Sequence, residues 1–248
     1  MNTQPNTGSN RLAIIGGGSW GTALAIVLAP RFSEVRLWVY ESDLAARMHD
    51  LRENDVFLPG MRLPGNIAPT CDIGAAVENC GIVLTVMPSH HVRAVVASLK
   101  PHLSTEASIV SATKGIENGS LLRMSQVIEE VLGPDSAGRI AVLSGPTFAR
   151  EVAAGEPAAV VIASVNNQLA GTLQVALSGP TFRAYTNSDP VGVELGASLK
   201  NVIAIAAGIC QGLGLGSNAR AALITRGLAE INRLAVAMGY LKSTQPRS

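Results

Sequence analysis

The chain has 248 residues, 47% hydrophobic and 15% charged, which suits one large domain plus part of a second and excludes a disordered chain. Its net charge of +1 offers neither a basic stripe for nucleic acid nor an acidic tail for a basic partner. Three cysteines, Cys71, Cys80 and Cys210, form no CxxC pair, and their odd number suits a reducing, cytoplasmic setting better than a disulfide framework.

The first ten residues, MNTQPNTGSN, are polar, lack an apolar run and read as a disordered tail (1–10), not a signal peptide. Leu12–Ile15 is a short apolar strand that runs into Gly16-Gly17-Gly18-Ser19-Trp20-Gly21, and Thr22–Leu28 is helix-forming up to Pro30. Strand, GxGxxG and helix in that order are the dinucleotide fingerprint. Gly16 permits the tight turn, Gly18 lets the backbone approach a pyrophosphate, and Gly21 lets helix and strand pack closely. The free N–H groups of the helix start favour the phosphate charge. Val35, Leu37 and Val39 alternate with Arg36 and Trp38 as a second strand, and Glu41 stands at its end, twenty positions beyond Gly21, where it could bond a ribose hydroxyl.

Ser42 is expected to cap a helix through Leu44–Met48, and a Pro- and Gly-rich loop, LPGMRLPGN, follows at 58–66. Further strands are expected at Ile82–Val86, Ser108–Ala112, Ile140–Leu143 and Ala159–Ala163, with helices at Val92–Leu99 and Leu121–Leu132. This alternation predicts an α/β fold, a Rossmann-like, doubly wound and mainly parallel sheet covered on both faces. Beyond Pro190 the strand signal ends. Val193–Leu213 and Ala219–Met238 are rich in Ala, Leu and Ile, as helices packed all round would be. The expected domains are therefore a dinucleotide-binding domain at 11–190 and the start of a helical substrate domain at 191–248. The mean hydropathy of +0.29 raises the question of a membrane, but the most apolar stretch, Val202–Cys210, is too short to span one. Of the histidines, only His90 and His91 are neighbours, and they do not share a helix face, so no metal site is expected.

The motif GGGSWGTALA at 16–25 resembles the opening signature of bacterial-type NAD(P)-dependent glycerol-3-phosphate dehydrogenases. The resemblance continues in register through VMPSH at 86–90, ATKGIE at 112–117, SGPTFAREVAAGEPAA at 144–159 and GASLKNVIAIAAGICQGLGLGSNARAALITRGLAEI at 196–231. It implies a cytoplasmic enzyme, with NAD or NADP as cofactor, that interconverts dihydroxyacetone phosphate and sn-glycerol 3-phosphate for phospholipid synthesis. It also implies that Ser19, Trp20 and Ala149 contact the cofactor, that Lys114 touches both cofactor and substrate, that Gly145 and Thr147 line the substrate site, and that Lys200 is the catalytic lysine.

Chemistry supports those residue types without deciding between them. A positioned ammonium can stabilise the oxyanion that forms as hydride reaches a carbonyl carbon and then donate a proton, and a lysine's pKa falls readily on burial. By spacing alone Lys200, among Gly196, Ala197, Ile203 and Ala204, is equally well a functional group or a chain end reaching out to water. Lys114 follows a strand end, where open α/β sheets bind ligands, or is an ordinary loop lysine. Ser144-Gly145-Pro146-Thr147 is a donor-rich site or a plain turn.

Two departures from the family pattern matter. Relatives often carry a basic residue near position 40, suited to a 2′-phosphate. Here Tyr40 and Glu41 stand instead, which makes NAD the expected preference. Relatives also continue well past Gly239 with an aspartate and a Ser-Arg-Asn motif that YLKSTQPRS does not match. The chain is therefore expected to be C-terminally shortened, folded, poorly active and self-associated as a dimer or larger homo-oligomer. The competing readings are a non-catalytic dinucleotide-binding fragment and a related 2-hydroxyacid or ketopantoate-type dehydrogenase.

Overall fold

In a computed structural model the structure describes residues 10–239. The expected tail at 1–10, apart from Asn10, and the segment 240–248 lie outside the described residues.

Eight strands form one sheet: β1 (Arg11–Ile15), β2 (Glu34–Trp38), β3 (Ile67–Thr70), β4 (Ile82–Thr85), β5 (Ser108–Ser111), β6 (Ile140–Ser144), β7 (Ala158–Ala163) and β8 (Phe182–Asn187). Their spatial order is β3-β2-β1-β4-β5-β6-β7-β8. The first six strands are parallel with the order of a doubly wound dinucleotide fold, and the direction of winding reverses between β1 and β4. The β6–β7 pair is antiparallel, so the sheet is mainly rather than wholly parallel.

Helices cover both faces of the sheet, which is why its central strands β1, β4 and β6 read as apolar runs. Leu12 and Ile14 of β1 point into a core built from α1 (Ser19–Leu28), α2 (Ser42–Leu51), α6 (Ala149–Ala153) and α7 (Asn167–Leu177). Ala13 and Ile15 point into a second core with α3 (Ile73–Val77), α4 (Val92–Leu99) and α5 (Met124–Leu132).

Several boundaries differ from the sequence expectation. Helix α1 begins at Ser19 because the glycine turn itself closes onto it. Ser42 is the first residue of α2, not its cap; Glu41 takes that place and makes no side-chain cap bond. Leu121 lies outside α5, exposed and at φ +59°, because the chain turns there before the helix starts at Met124. Four short elements and α7 escaped the periodicity reading. Strand β3 contains Pro69, which only an edge strand tolerates well, and β3 is an edge. Helix α3 is five residues long and is held by Asp72, whose Oδ1 accepts from Gly74 N and Ala75 N at 2.9 and 3.0 Å.

The last two helices, α8 (Pro190–Gly212) and α9 (Ser217–Ala237), fold back on each other, and α8 also packs on β6 and β7. They are not buried all round. Among the described residues only Glu194, Leu195 and Ala197 of α8 and Gly227 and Ala235 of α9 are buried, while Ile205, Ile209 and Leu213 are exposed. Helix α8 is 23 residues long and contains the Val202–Cys210 stretch; by length and composition alone the whole helix could cross a membrane. Its first half is engaged with the sheet domain through Glu194, Ser198 and Lys200.

Candidate functional site

The loops that leave the carboxyl ends of β1, β2, β4, β5 and β6 gather along one edge of the sheet. That edge carries residues 16–21, 39–41, 86–91, 112–117 and 144–148, so every strand-end motif singled out in the sequence meets there. A cavity of about 930 Å³ opens at the opposite edge, beside Asp72, Glu78, His102 and Ser108, and none of the candidate site residues lines it.

The glycines of the first turn are required by their surroundings in different ways. Gly16 has φ +130°, and a Cβ there would sit 2.1 Å from Val86 O. A Cβ on Gly21 would sit 1.8 Å from Gly16 O, so helix and turn can touch only through glycine. Gly18 differs: nothing lies within 4 Å of its would-be Cβ. The space above Gly18, at the amino end of a ten-residue helix with no acidic residue in its first turn, is open to a phosphate. These residues fit a dinucleotide. Ser19 is exposed, and Trp20 is half-buried and packs, with Ala149 of α6, against the first core. Tyr40 is 79% exposed, and Glu41 is also exposed at the start of α2. Both stand at the β2 end, apart from the lysines.

The two lysines are brought together. Lys114 Nζ donates to Thr147 Oγ1 at 3.3 Å and lies 5.8 Å from the centroid of the Trp20 ring. Lys200 Nζ donates to Gly145 O at 2.5 Å. Thr147 Oγ1 also donates to Gly145 O at 3.4 Å. A single chain of contacts thus joins Lys114, Thr147, Gly145 and Lys200, residues that span the β5 loop, the β6 turn and α8. Burial pushes the pKa of Lys114 down, and the charge of Lys200 adds to the effect; burial alone pushes Lys200 down. Among the described residues neither ammonium has a carboxylate against it to reverse the shift, so both are suited to meeting negative charge on a ligand.

Sequence reasoning missed the groups that hold this arrangement. Thr113 Oγ1 donates to Thr85 O and accepts from Met87 N, both at 3.3 Å, which fixes the peptide before Lys114. Ser198 Oγ accepts from Gly115 N at 3.1 Å, which ties the peptide after Lys114 to α8. One turn earlier on α8, the buried Glu194 accepts from Arg123 Nη1 (2.5 Å), Ser125 N (2.8 Å) and Ser125 Oγ (2.5 Å). A carboxylate in an otherwise apolar helix was a visible signal. Its partners, seventy residues away, were not. Asn54, fully buried, bonds the glycine turn from the loop after α2. Among the described residues no cluster of His, Cys, Asp or Glu has the geometry of a metal site.

The family described as NAD-dependent glycerol-3-phosphate dehydrogenase N-terminus matches residues 11–170, and its C-terminal counterpart matches residues 189–246. The chain is 54% identical over 231 residues to an NAD(P)+ glycerol-3-phosphate dehydrogenase of Koribacter versatilis, covering 93% of this chain and 68% of that one. It is 52% identical over 236 residues to one from a Geobacter species, covering 95% and 70%. Among solved structures, glycerol-3-phosphate dehydrogenase from Coxiella burnetii superposes with a TM-score of 0.86 at 44% identity, covering 94% of this chain and 71% of that one.

Proposed function

The chain belongs to the NAD-dependent glycerol-3-phosphate dehydrogenase family, and from that premise we propose how its own residues divide the work of the reaction. It is an NAD(P)-dependent oxidoreductase that interconverts dihydroxyacetone phosphate and sn-glycerol 3-phosphate, a role consistent with phospholipid synthesis. When bound, the nicotinamide supplies or accepts the hydride. The turn at Gly16, Gly18, Ser19, Trp20 and Gly21 would hold the cofactor phosphates, with Ala149 contributing to the same site, and Tyr40 and Glu41 would serve the adenosine ribose. Glu41 disfavours a 2′-phosphate there, so NAD is the preferred form.

Lys200 is the proton donor to the substrate C2 oxygen in reduction and the acceptor in oxidation. Lys114 and Thr147 orient the substrate, and the Gly145 carbonyl holds the Lys200 ammonium in place until substrate arrives. The observation that carries this reading is the convergence of two desolvated lysines, from the β5 loop and α8, on one turn beside the glycine motif. Residues 11–190 act as the dinucleotide domain, and the helices that follow act as the substrate-domain part. The apolar side chains that α8 and α9 expose support a homo-oligomer, and the composition supports a cytoplasmic setting.

The test is NADH oxidation with dihydroxyacetone phosphate, run beside Lys200→Met. Cofactor affinity should persist in the variant while kcat falls about 10²–10⁴-fold, the usual worth of acid–base catalysis. A near-normal kcat in Lys200→Met would remove that residue from the chemistry. NADH binding without turnover in the unaltered chain would favour a dinucleotide-binding role instead.

A further inference from the structure

The loop between α2 and β3 spans residues 52–66, and its Pro- and Gly-rich stretch occupies 58–66. Asn54, near its start, has a specific attachment. Asn54 is 0% exposed, and so is Thr22 in the first turns of α1. Asn54 Nδ2 donates to Gly17 O at 2.7 Å and to Thr22 Oγ1 at 2.8 Å. Thr22 Oγ1 in turn donates to Gly17 O at 3.4 Å. The orientation of the Asn54 amide is settled by its other end, where Oδ1 accepts from Phe57 N at 2.9 Å. Both hydrogens of the amide nitrogen are therefore used, one on the glycine turn and one on the hydroxyl beside it.

The consequence follows from peptide geometry. In a trans peptide the C=O and the following N–H point in opposite directions, and no cis peptide is present among the described residues. Drawing Gly17 O inward therefore turns Gly18 N–H to the other side of the peptide, away from Asn54, on a residue whose would-be Cβ meets no described atom within 4 Å. A flip of that one peptide would present a carbonyl oxygen to a phosphate instead of a donor. Glycine on both sides of the bond makes such a flip easy unless something holds the carbonyl.

We infer that Asn54 is a positioning residue for the cofactor: it locks the Gly17–Gly18 peptide so that Gly18 N–H faces the pyrophosphate. The inference rests on the reading of the 16–21 turn as the cofactor site and names a determinant outside the glycine motif.

The experiment measures binding, not turnover, by calorimetry with ADP-ribose, which carries the pyrophosphate, and with adenosine, which lacks it. Asn54→Ala leaves Gly17 O only the long 3.4 Å bond from Thr22 Oγ1 and should weaken ADP-ribose about tenfold, the fold-change that goes with losing about 1.4 kcal/mol of hydrogen bonding. Adenosine affinity should stay within about twofold, because no phosphate meets the turn. Thr22→Val keeps the 2.7 Å bond to Gly17 O and should cost ADP-ribose no more than about threefold, the low end for one lost hydrogen bond.

Asn54→Asp supplies a readout that loosened packing would not produce. As a carboxylate it offers no donor to Gly17 O; protonated, it regains one. Its ADP-ribose affinity should be about tenfold below wild type near pH 8.5 and recover most of that by about pH 5.5, since burial raises a carboxyl pKa above the usual value. Wild type, corrected for its own pH dependence, sets the baseline.

Equal loss of ADP-ribose and adenosine would overturn the inference. So would a Thr22→Val loss as large as that of Asn54→Ala, or an Asn54→Asp defect that does not move with pH. If the unaltered chain bound neither ADP-ribose nor NADH, the cofactor-site reading itself would fall. If it bound both, and the Asn54 variants bound them equally well, only the role of Asn54 would fall.

Discussion

Gly18 and Gly21 of the first turn should separate into two mechanisms when each is given a side chain. Gly21→Ala places a Cβ 1.8 Å from Gly16 O, whereas real Cβ contacts essentially never fall below 3.0 Å. Opening 1.8 Å to 3.0 Å moves the start of α1 away from the turn by about 1.2 Å. Overpacking of this kind costs about 1–3 kcal/mol, and at about 2–4 °C per kcal/mol for a chain of this size the melting temperature should fall by about 2–12 °C. Gly18→Val meets no protein atom within 4 Å, and the φ of −71° at Gly18 is open to any residue. Its stability should change by less than about 1 kcal/mol, the scale of a changed N-cap. NADH affinity should nevertheless fall at least tenfold in both variants: through displacement of the turn in Gly21→Ala, and through a methyl-bearing side chain in the phosphate's place in Gly18→Val. A loss of about tenfold corresponds to about 1.4 kcal/mol, within the worth of one charge-assisted hydrogen bond. The assays are a thermal melt of the free chain and calorimetry with NADH. The reasoning is refuted if Gly18→Val melts as far below wild type as Gly21→Ala, or if it binds NADH as tightly as wild type.

Four further outcomes are expected. Reduction of dihydroxyacetone phosphate needs Lys200 charged, and burial lowers its pKa, so kcat/KM for reduction should fall on the alkaline side with an apparent pKa below 10.5; a limb at or above that value would contradict the desolvated setting. The same depression means that the unfolded chain binds more protons between the folded pKa values of Lys114 and Lys200 and 10.5, so their contribution to stability rises with pH across that window; Lys200→Met should melt no lower than wild type at neutral pH. Glu194→Ala leaves Arg123, whose side chain is 11% exposed, without its buried partner and should cost about 3–5 kcal/mol in a denaturant titration, with an Arg123→Met, Glu194→Leu double variant recovering much of it; a loss under 1 kcal/mol would mean the pair does not hold α8 in place. Glu41→Arg should shift the NADH to NADPH preference towards NADPH by tenfold or more at low salt, and unchanged relative affinities would show that position 41 does not meet the ribose.

Much of the fold was legible because its signals are local. A buried parallel strand must be apolar on both faces, so β1, β4, β5 and β6 announced themselves as runs, and α4 was bounded as expected at Val92–Leu99. GxGxxG is recognised from its spacing between a strand and a helix; in the structure Gly21 answers a contact with Gly16 O inside the motif, Gly16 a contact with Val86 O, and Gly18 leaves open space. Lys114, Gly145, Thr147 and Lys200 entered as candidates through resemblance; from spacing, each had an equally ordinary explanation. What the tertiary structure adds is their meeting: it brings together segments about thirty and fifty-five residues apart, so that Lys114 reaches Thr147 and Lys200 reaches Gly145. The antiparallel β6–β7 pair and the edge strand with Pro69 were illegible for the same reason: direction and edge position belong to the sheet, not to the strand. Asn54 is the clearest case. An asparagine in a turn-rich loop has many local uses, and only the packed molecule shows its amide buried against a carbonyl thirty-seven residues earlier, because burial without water obliges each of those polar groups to find the other.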